Sequence, residues 1–385
     1  VRITLFLVTF LVFTAAMHRW LWARFVRDAA LPAPWRRRAT WTLVVLAVSI
    51  PAAIFLARWL PHPWNTVLGA PGFVWLGVVF YLAVLFAPVE TIRLVARALR
   101  RRETFDTSRR EFLSRSLALG GLAVSGGIAA TAAADTARRV AVKRVTIEVA
   151  GLDPRLAGFR IVQLTDMHVG PMLGESFVRE VVDVANGLDA DVVAVTGDLV
   201  DGTVDDLREA VAPLATLRAR HGVFFITGNH EYYVGPDAWI VHLETLGIRA
   251  LRNAHVEVGR DGAAFTLAGV EDYAGERDGV GGPDLARALA GRDPGKPVVL
   301  LAHQPKMVYA ARDADVAVQL SGHTHGGQMW PFGLLVGLLQ PAVSGLHRFG
   351  PTSLYVSCGT GFWGPPMRVG APAEVTLVEL VPATS

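Results

Sequence analysis

The sequence predicts an α/β domain over about residues 145–385, preceded by an N-terminal region of membrane helices. Three observations carry this. Of the 385 residues, 52% are hydrophobic, and the mean hydropathy of +0.37 is too apolar for an ordinary soluble chain. Three stretches, about 1–22, 41–60 and 72–90, approach the ~20 apolar residues that a helix needs to cross a bilayer. From Val145 onward the pattern changes to short apolar runs alternating with amphipathic segments, the mark of an α/β domain.

Residues 1–105 therefore read as a three-span transmembrane region. Arg24, Arg27, Arg36, Arg37 and Arg38 follow the first stretch, and Arg93, Arg97, Arg100, Arg101 and Arg102 follow the third. Positive charge of this kind marks cytoplasmic loops. The connection between the second and third stretches, PHPWNTVLGAPG, has only Arg58 at its margin, with Trp59 and Trp64 suited to an interface, and is expected outside. His18 and His62 are expected at the interface.

Residues 106–144 form a linker with a fourth, weaker, Ala/Gly-rich apolar stretch at about 116–134. Alternation would carry it outward and leave the rest of the chain extracytoplasmic, at a multi-pass cell membrane. Just before it stands Ser108-Arg109-Arg110-Glu111-Phe112-Leu113, which resembles a bacterial twin-arginine export signal and implies the twin-arginine machinery as a partner. A further cytoplasmic basic cluster is the plainer reading. Ala132 to Ala134 could be a cleavage site or the end of a retained helix.

Charge separates the two halves. Residues 1–144 hold 20 Lys and Arg against 6 Asp and Glu, or +14, which leaves −11 to the rest of a chain whose formal charge is +3. An acidic C-terminal domain argues against a nucleic-acid partner, which needs a basic groove. With Cys358 as the one cysteine, an intrachain disulfide and a cysteine-based zinc site are both excluded. Any metal must be held by His, Asp, Glu or Asn.

In the C-terminal half each apolar run ends in a polar cluster. FRIVQLT leads to Asp166-Met167-His168, ADVVAVT to Gly197-Asp198-Leu199-Val200-Asp201, and GVFFIT to Gly228-Asn229-His230-Glu231. VVLLA leads to His303, and DVAVQLS to Gly322-His323-Thr324-His325-Gly326-Gly327. Five strands thus carry ligand-type side chains at their carboxyl ends, where open α/β sheets place their sites. Helices are expected near 175–187, 204–220, 236–247 and 304–312, and further strands in AFTLAGV, SLYVS and EVTLVEL.

The ordered set D-x-H, G-D-x-x-D, G-N-H-E, a lone His and G-H-x-H resembles the calcineurin-like metallophosphoesterase family over about residues 145–380. The extended ending G-H-T-H-G-G-Q resembles its bacterial, membrane-associated subgroup. The resemblance implies two packed mixed β-sheets flanked by helices, and two divalent ions, manganese first, iron or zinc next. It implies that Asp166, His168, Asp198 and His325 hold one ion, and Asp198, Asn229, His303 and His323 the other, with Asp198 bridging. Two ions roughly 3.5 to 4 Å apart relieve the repulsion between hydroxide and phosphoryl oxygens and make hydroxide available at neutral pH. If extended, residues two apart share a side, which accounts for the D-x-H and H-x-H spacings.

His230, a non-ligand in the family, is expected to protonate the leaving oxygen, with Asp201 orienting it. The implied reaction is in-line attack by metal-bridging hydroxide on a phosphodiester, phosphomonoester or pyrophosphate. His221, His242, His255 and His347 are taken as ordinary core or surface residues, and Glu231 as loop support. Gly197, Gly228 and Gly322 are expected to permit tight turns. Glu271 and Asp272 are expected to be solvated, with contact to substrate the lesser alternative, and Arg368 to meet a phosphate or a carboxylate.

The protein phosphatases of the wider family follow G-D-x-x-D with arginine, whereas this chain has Asp201-Gly202-Thr203, which argues against phosphoproteins. Membrane proximity favours a phosphorylated small molecule or lipid, lipid-linked or of the cell envelope. Two other readings compete. A phosphate sensor would be expected to have lost a ligand or the His230/Asp201 pair, and this chain keeps both. A regulatory domain of a small transporter would be favoured by charges within the spans, which 41–60 and 72–90 almost lack before their ends.

Overall fold

The computed structural model describes residues 2–60, 64–99, 107–136 and 140–383. His62, Arg100 to Arg102 and the side chains of Arg58, Trp59, Arg97 and Arg110 lie outside what is described, as does the 105/106 boundary. Two compact units are present: Val1–Ala134 with Gly364–Met367, and Asp135–Trp363 with Arg368–Ser385.

The first unit is helical. Helix α1 (Arg2–Trp22) ends in a π-helical turn, Ala23–Arg27, and is followed by α2 (Ala33–Trp59), α3 (Trp64–Ala98) and α4 (Thr107–Thr136). Among the described residues, three helical segments are long and apolar enough to cross a membrane: Ala33–Phe55, Trp64–Ala96 and Glu111–Thr136. The first apolar stretch of the sequence is helical but is not among these three, and the weaker fourth stretch is. Gly72 brings α3 against α2, since a Cβ there would stand 2.3 Å from the Ser49 carbonyl oxygen. His18 is buried among the helices. Its Nδ1 lies 2.8 Å from the Thr14 carbonyl, and the Trp75 indole N–H donates to its Nε2 at 2.9 Å.

The second unit contains the β-structure. In chain order the strands are β1 (Ala141–Val149), β2 (Phe159–Leu164), β3 (Val192–Val195), β4 (Val223–Phe225), β5 (Ile248–Ala250) and β6 (Ala254–Arg260). They continue with β7 (Ala263–Gly269), β8 (Val298–Leu301), β9 (Val318–Ser321), β10 (Gly345–Phe349), β11 (Thr352–Val356) and β12 (Glu374–Pro382). One six-stranded sheet has the order β1-β12-β2-β3-β4-β5 and the other β10-β11-β9-β8-β7-β6. Both are mixed. Strands β2 to β5 are parallel and so are β7, β8, β9 and β11, while β12 with β2, β6 with β7 and β10 with β11 pair antiparallel.

The sheets pack face to face. Ile161, Val192, Ala194 and Phe224 of one sheet share a core with Phe265, Leu267, Val299, Leu301 and Leu320 of the other. Helices cover the outer faces. Helix α5 (Glu175–Asn186) turns Val178, Val181, Val182 and Ala185 inward, a single stripe at helical spacing, and packs them beside Val193 and Val195. With both faces covered, Val192–Val195 can be apolar at every position. This two-layer arrangement, with helices outside, is the expected fold. It brings the carboxyl ends of β2, β3, β4, β8 and β9 to one place.

Candidate metal centre

The five loops after these strands converge on Asp198. Its Oδ2 lies 3.2 Å from His303 Nε2 and 3.9 Å from both His168 Nε2 and His230 Nε2. His325 Nε2 stands 3.4 Å from Asp166 Oδ1 and 2.9 Å from His168 Nε2. Three groups of ligand-type atoms result, each lying within 4.8 Å: Asp166/His168/His325, His168/Asp198/His230 and Asp198/His303/His323. Asp166, His168, Asp198, His303 and His325 are buried, and Asn229, His230 and His323 are partly so.

The convergence does not come from extended strands, which corrects the explanation offered for D-x-H and H-x-H. Asp166, His168, Asp198, His323 and His325 all have left-handed backbones, with φ of 51°, 47°, 49°, 72° and 52°. Thr324, between the two histidines, is right-handed at φ −83° and ψ −17°. Tight turns of alternating hand aim these side chains, at a cost of about 1 kcal/mol or more for each non-glycine residue. The energy is recovered from the neighbouring structure. His323 N–H donates to both Asp166 oxygens at 3.0 Å, and His230 N–H donates to Asp198 Oδ1 at 2.8 Å.

Glycines act here in two ways. Gly197 has the positive φ, 92°, that a tight turn requires. Gly228 and Gly322 are needed for space: a Cβ would stand 2.2 Å from Asp198 Oδ1 at the first and 2.1 Å from Asp166 Oδ2 at the second.

Hydrogen bonds also set the imidazole lone pairs. His303 Nδ1 meets the Thr196 carbonyl at 2.9 Å, and His168 Nδ1 meets Asp201 Oδ1 at 3.0 Å. Each acceptor demands an N–H, so each Nε2 presents a lone pair to the centre. His303 Nε2 and Asn229 Oδ1 are buried there with no hydrogen-bond partner. Buried orphans of this kind are costly and call for a cation or a donor. The residues therefore fit divalent metal ions, in an oxygen and imidazole set that suits first-row metals.

Without a metal ion the carboxylates instead favour a proton on two of the rings, the one on His303 Nε2 being what a divalent ion would displace. Burial opposes charge on Asp198, but the imidazoles of His303 and His230 outweigh it and hold the carboxyl well below its ordinary range. Burial likewise opposes charge on His303 and His230; Asp198 outweighs it at both, and His230 rises to about 9. Burial and His303 push His323 down to about 3, while burial and His168 hold His325 well below the usual imidazole range.

His230 turns its Nδ1 to Asp201 Oδ1 at 2.6 Å. Its ring meets Trp363 at 5.6 Å and Tyr233 at 5.1 Å between centroids. Sequence reasoning passed over both aromatics, because Trp363 sits in a Gly/Pro-rich turn with nothing to tie it to the G-N-H-E block. Glu231 supports the loop as expected, accepting from the backbone N–H groups of Asp198 at 3.0 Å and Leu199 at 2.8 Å.

Other expectations change. Asp272 and Glu271 are buried, not solvated: Gln304 Nε2 donates to both Asp272 oxygens at 3.0 and 2.9 Å, and Arg252 pairs with Glu271 at 2.6 Å. Arg368 meets neither carboxylate nor open space. It is buried, donating to the carbonyls of Gly361 at 2.9 Å and Ala371 at 2.8 Å, with Nη2 3.3 Å from His325 Nδ1. Outside the centre, His255 meets the Ala288 carbonyl, His347 the Ser344 carbonyl, His221 stacks on Phe159, and His242 meets Trp239 edge-on.

A two-sheet fold with a histidine and aspartate cluster at its strand ends defines a class of metal-dependent phosphoesterases. Residues 159–327 match the family model described as calcineurin-like phosphoesterase. An uncharacterized metallophosphoesterase of Helicobacter pylori is 35% identical over 348 residues, covering 89% of each chain. Proteins called transmembrane protein with metallophosphoesterase domain are 34% identical in Danio rerio, over 98% of this chain and 90% of the relative, and 36% identical in Bos taurus, over 87% and 79%. The chain belongs to the calcineurin-like metallophosphoesterases, hydrolases that act on phosphoesters with divalent metal ions, and its apolar helices associate it with a membrane.

Proposed function

We propose that the chain hydrolyses a phosphodiester, phosphomonoester or pyrophosphate carried by a lipid or by a cell-envelope component. The supporting observation is Asp198 Oδ2, which lies between the Asp166/His168/His325 and His303/His323 groups and within 3.2 to 3.9 Å of three imidazoles. Asp166, His168, Asp198 and His325 would hold one ion, and Asp198, Asn229, His303 and His323 the other. Two divalent ions supply charge neutralisation at phosphorus and hydroxide at neutral pH. Manganese is the first choice.

His230 is the proton donor to the leaving oxygen. Its Nδ1 is engaged by Asp201, and the carboxylates of Asp198 and Asp201 favour its protonated form. Asp201 keeps the ring turned and supports His168 from the same oxygen. In this reading the catalytic unit lies on the extracytoplasmic side, delivered by the twin-arginine route through Ser108 to Leu113, and the G-H-T-H-G-G-Q block is what supports membership of the bacterial membrane-associated subgroup.

The test uses the full chain in detergent, stripped of metal and reloaded, with bis(p-nitrophenyl) phosphate, p-nitrophenyl phosphate and a pyrophosphate as substrates. Metal-dependent hydrolysis that Asp198→Asn abolishes supports the enzyme reading, and the preferred ester names the bond. Two bound metals with no hydrolysis of any of the three would make the unit a phosphate sensor. A reporter fused after Val140 and active only in the cytoplasm would overturn the orientation.

A further inference from the structure

Six of the large apolar side chains exposed in the second unit lie together in the segment that follows His325. The segment after His325 leaves the fold at Met329 and returns at Ala342, both buried, and between them Trp330, Phe332, Leu334, Leu335, Leu338 and Leu339 stand in the open. Leu338 and Leu339 at the tip are 80% and 83% exposed. Isolated exposed leucines are ordinary, but six large apolar residues within ten positions form a patch, which marks an interaction surface.

The loop is anchored to the site's own residues. Thr324, between the two histidines of H-x-H, donates its hydroxyl to the Val343 carbonyl at 2.6 Å. Gln328 holds Trp363, the aromatic beside His230, donating to its carbonyl at 2.9 Å and accepting from its N–H at 3.0 Å. Trp330 N–H donates to the Val369 carbonyl at 2.9 Å. The base of the loop is thus rigid and shared with the centre, while the tip, including the short helix Gly333–Val336, turns its leucines outward.

We infer that this loop is a membrane-inserting surface and that its occupant is the lipid bilayer. Among the described residues three helices are long and apolar enough to cross a membrane, so a bilayer is always at hand. Charge points the same way: within a C-terminal half of net charge −11, no Asp or Glu occurs between Asp315 and Glu374, whereas His347 and Arg348 are exposed beside Leu346. A segment free of carboxylates is not itself repelled by anionic headgroups, and an arginine next to it is drawn to them. The residue types suit the layers they would meet, with tryptophan at the base, at headgroup level, and leucines at the tip, in the acyl boundary. A phosphate ester held by a lipid would then reach the His230 and Trp363 rim from the headgroup plane, a consequence that rests on the esterase reading, whereas the insertion itself does not.

The full chain is reconstituted in vesicles of phosphatidylcholine and phosphatidylglycerol containing a phosphatidylcholine with a diazirine in its acyl chain. After irradiation, labelled peptides are mapped by mass spectrometry. Peptides spanning 330–339 are expected to carry lipid as the spanning helices do, and the peptide around Val241, exposed at 63% on another helix, is not. Leu338→Glu combined with Leu339→Glu is expected to lose most of the labelling in the loop, with labelling of the spans and metal content unchanged. An unlabelled loop in the unmodified chain overturns the proposal, whether the segment is found in water or covered by a second copy, which a crosslinked dimer through 330–339 would reveal. Labelling does not read turnover, so failure of the esterase reading leaves this result standing.

Discussion

His168 and His230 share one acceptor: Oδ1 of Asp201 lies 3.0 Å from Nδ1 of the first and 2.6 Å from Nδ1 of the second. One carboxylate oxygen therefore orients both a ligand-type histidine and the proposed acid, and removing it should disturb two properties that removing His230 separates. His230→Ala is expected to lower turnover by about 10²- to 10⁴-fold with full metal content. Asp201→Asn should lower turnover and also weaken metal binding by about 10- to 100-fold, because the tautomer of His168 is no longer held. Metal analysis and steady-state kinetics on both variants check this. Equal metal loss in His230→Ala would make His230 a ligand.

Metal removal is the second prediction. His168 Nε2 and His325 Nε2 face each other at 2.9 Å, and the lone pair on the first is fixed by Asp201. Without a cation the contact is held only by a proton on one of the two rings, Asn229 Oδ1 has no hydrogen-bond partner, and His303 Nε2 has only the Asp198 carboxylate beside it, at 3.2 Å. Chelation is expected to lower the thermal midpoint of the second unit, and manganese at a hundred times its Kd to restore about 2.7 kcal/mol. An unchanged midpoint would mean that the cluster is already satisfied without metal.

Much of this could be read from the sequence, and the omissions have physical causes. Of the five runs that end in ligand-type clusters, β3, β4 and β8 are buried at every position and apolar throughout, while β2 and β9 place Arg160, Gln163, Gln319 and Ser321 among their buried apolar residues. Strand β10 was not foreseen, since Leu346, His347 and Arg348 are all exposed on an edge. The first residues of β1 carry Lys143 and Arg144 on another edge and resembled linker. The identity of the site residues lay in the motifs, but their geometry did not. A left-handed aspartate or histidine looks like any other in sequence, so the extended explanation of H-x-H was natural and wrong. Trp363 and Gln328 come together only through a fold that joins positions 35 residues apart.

The third prediction concerns pH in the metal-free protein. Burial and His303 lower His323 to about 3, against about 6.5 for an unfolded imidazole. Between these values the unfolded state binds the extra proton, so stability falls as pH drops from 6.5 toward 3. His230 behaves in the opposite sense. Asp198 and Asp201 outweigh burial and raise it to about 9, so its contribution is complete below 6.5 and is lost as pH rises through 9. Denaturation in chelator across this range should show both limbs. His323→Asn is expected to flatten the acid limb and His230→Asn the alkaline one; a variant that keeps the wild-type slope removes that histidine from the account.

Glu231 gives the fourth. Its buried carboxylate accepts from the amides of Asp198 and Leu199 and, at 2.6 Å, of Gly228, and so ties the G-N-H-E loop to the G-D-x-x-D loop. Burial and the nearby Asp198 push this carboxyl up to about 7, so the amide donors hold a charge that the surroundings oppose. Glu231→Gln turns an amide NH2 toward backbone donors and should cost about 1–3 kcal/mol in thermal or denaturant unfolding. Loss of activity at unchanged stability would instead point to a direct part in the chemistry.

The last prediction separates crowding from conformational strain. Gly228 has φ of −100°, which any residue adopts, yet a Cβ there would lie 2.2 Å from Asp198 Oδ1 and 2.4 Å from the Asp198 amide nitrogen. The second neighbour is backbone and cannot swing away, so Gly228→Ala must push the Asp198 turn outward. Overpacking of this kind costs about 1–3 kcal/mol. The displaced carboxylate is the one placed between the two ligand groups, so metal binding should suffer more than folding does. Gly174, at φ −97° with no atom within 4 Å of its added Cβ, is the matched control. Gly174→Ala should keep full metal content and activity, while Gly228→Ala loses metal in a folded protein. Equal metal binding by the two variants would show that Asp198 can shift without cost, and would remove its bridging position as the basis of the site.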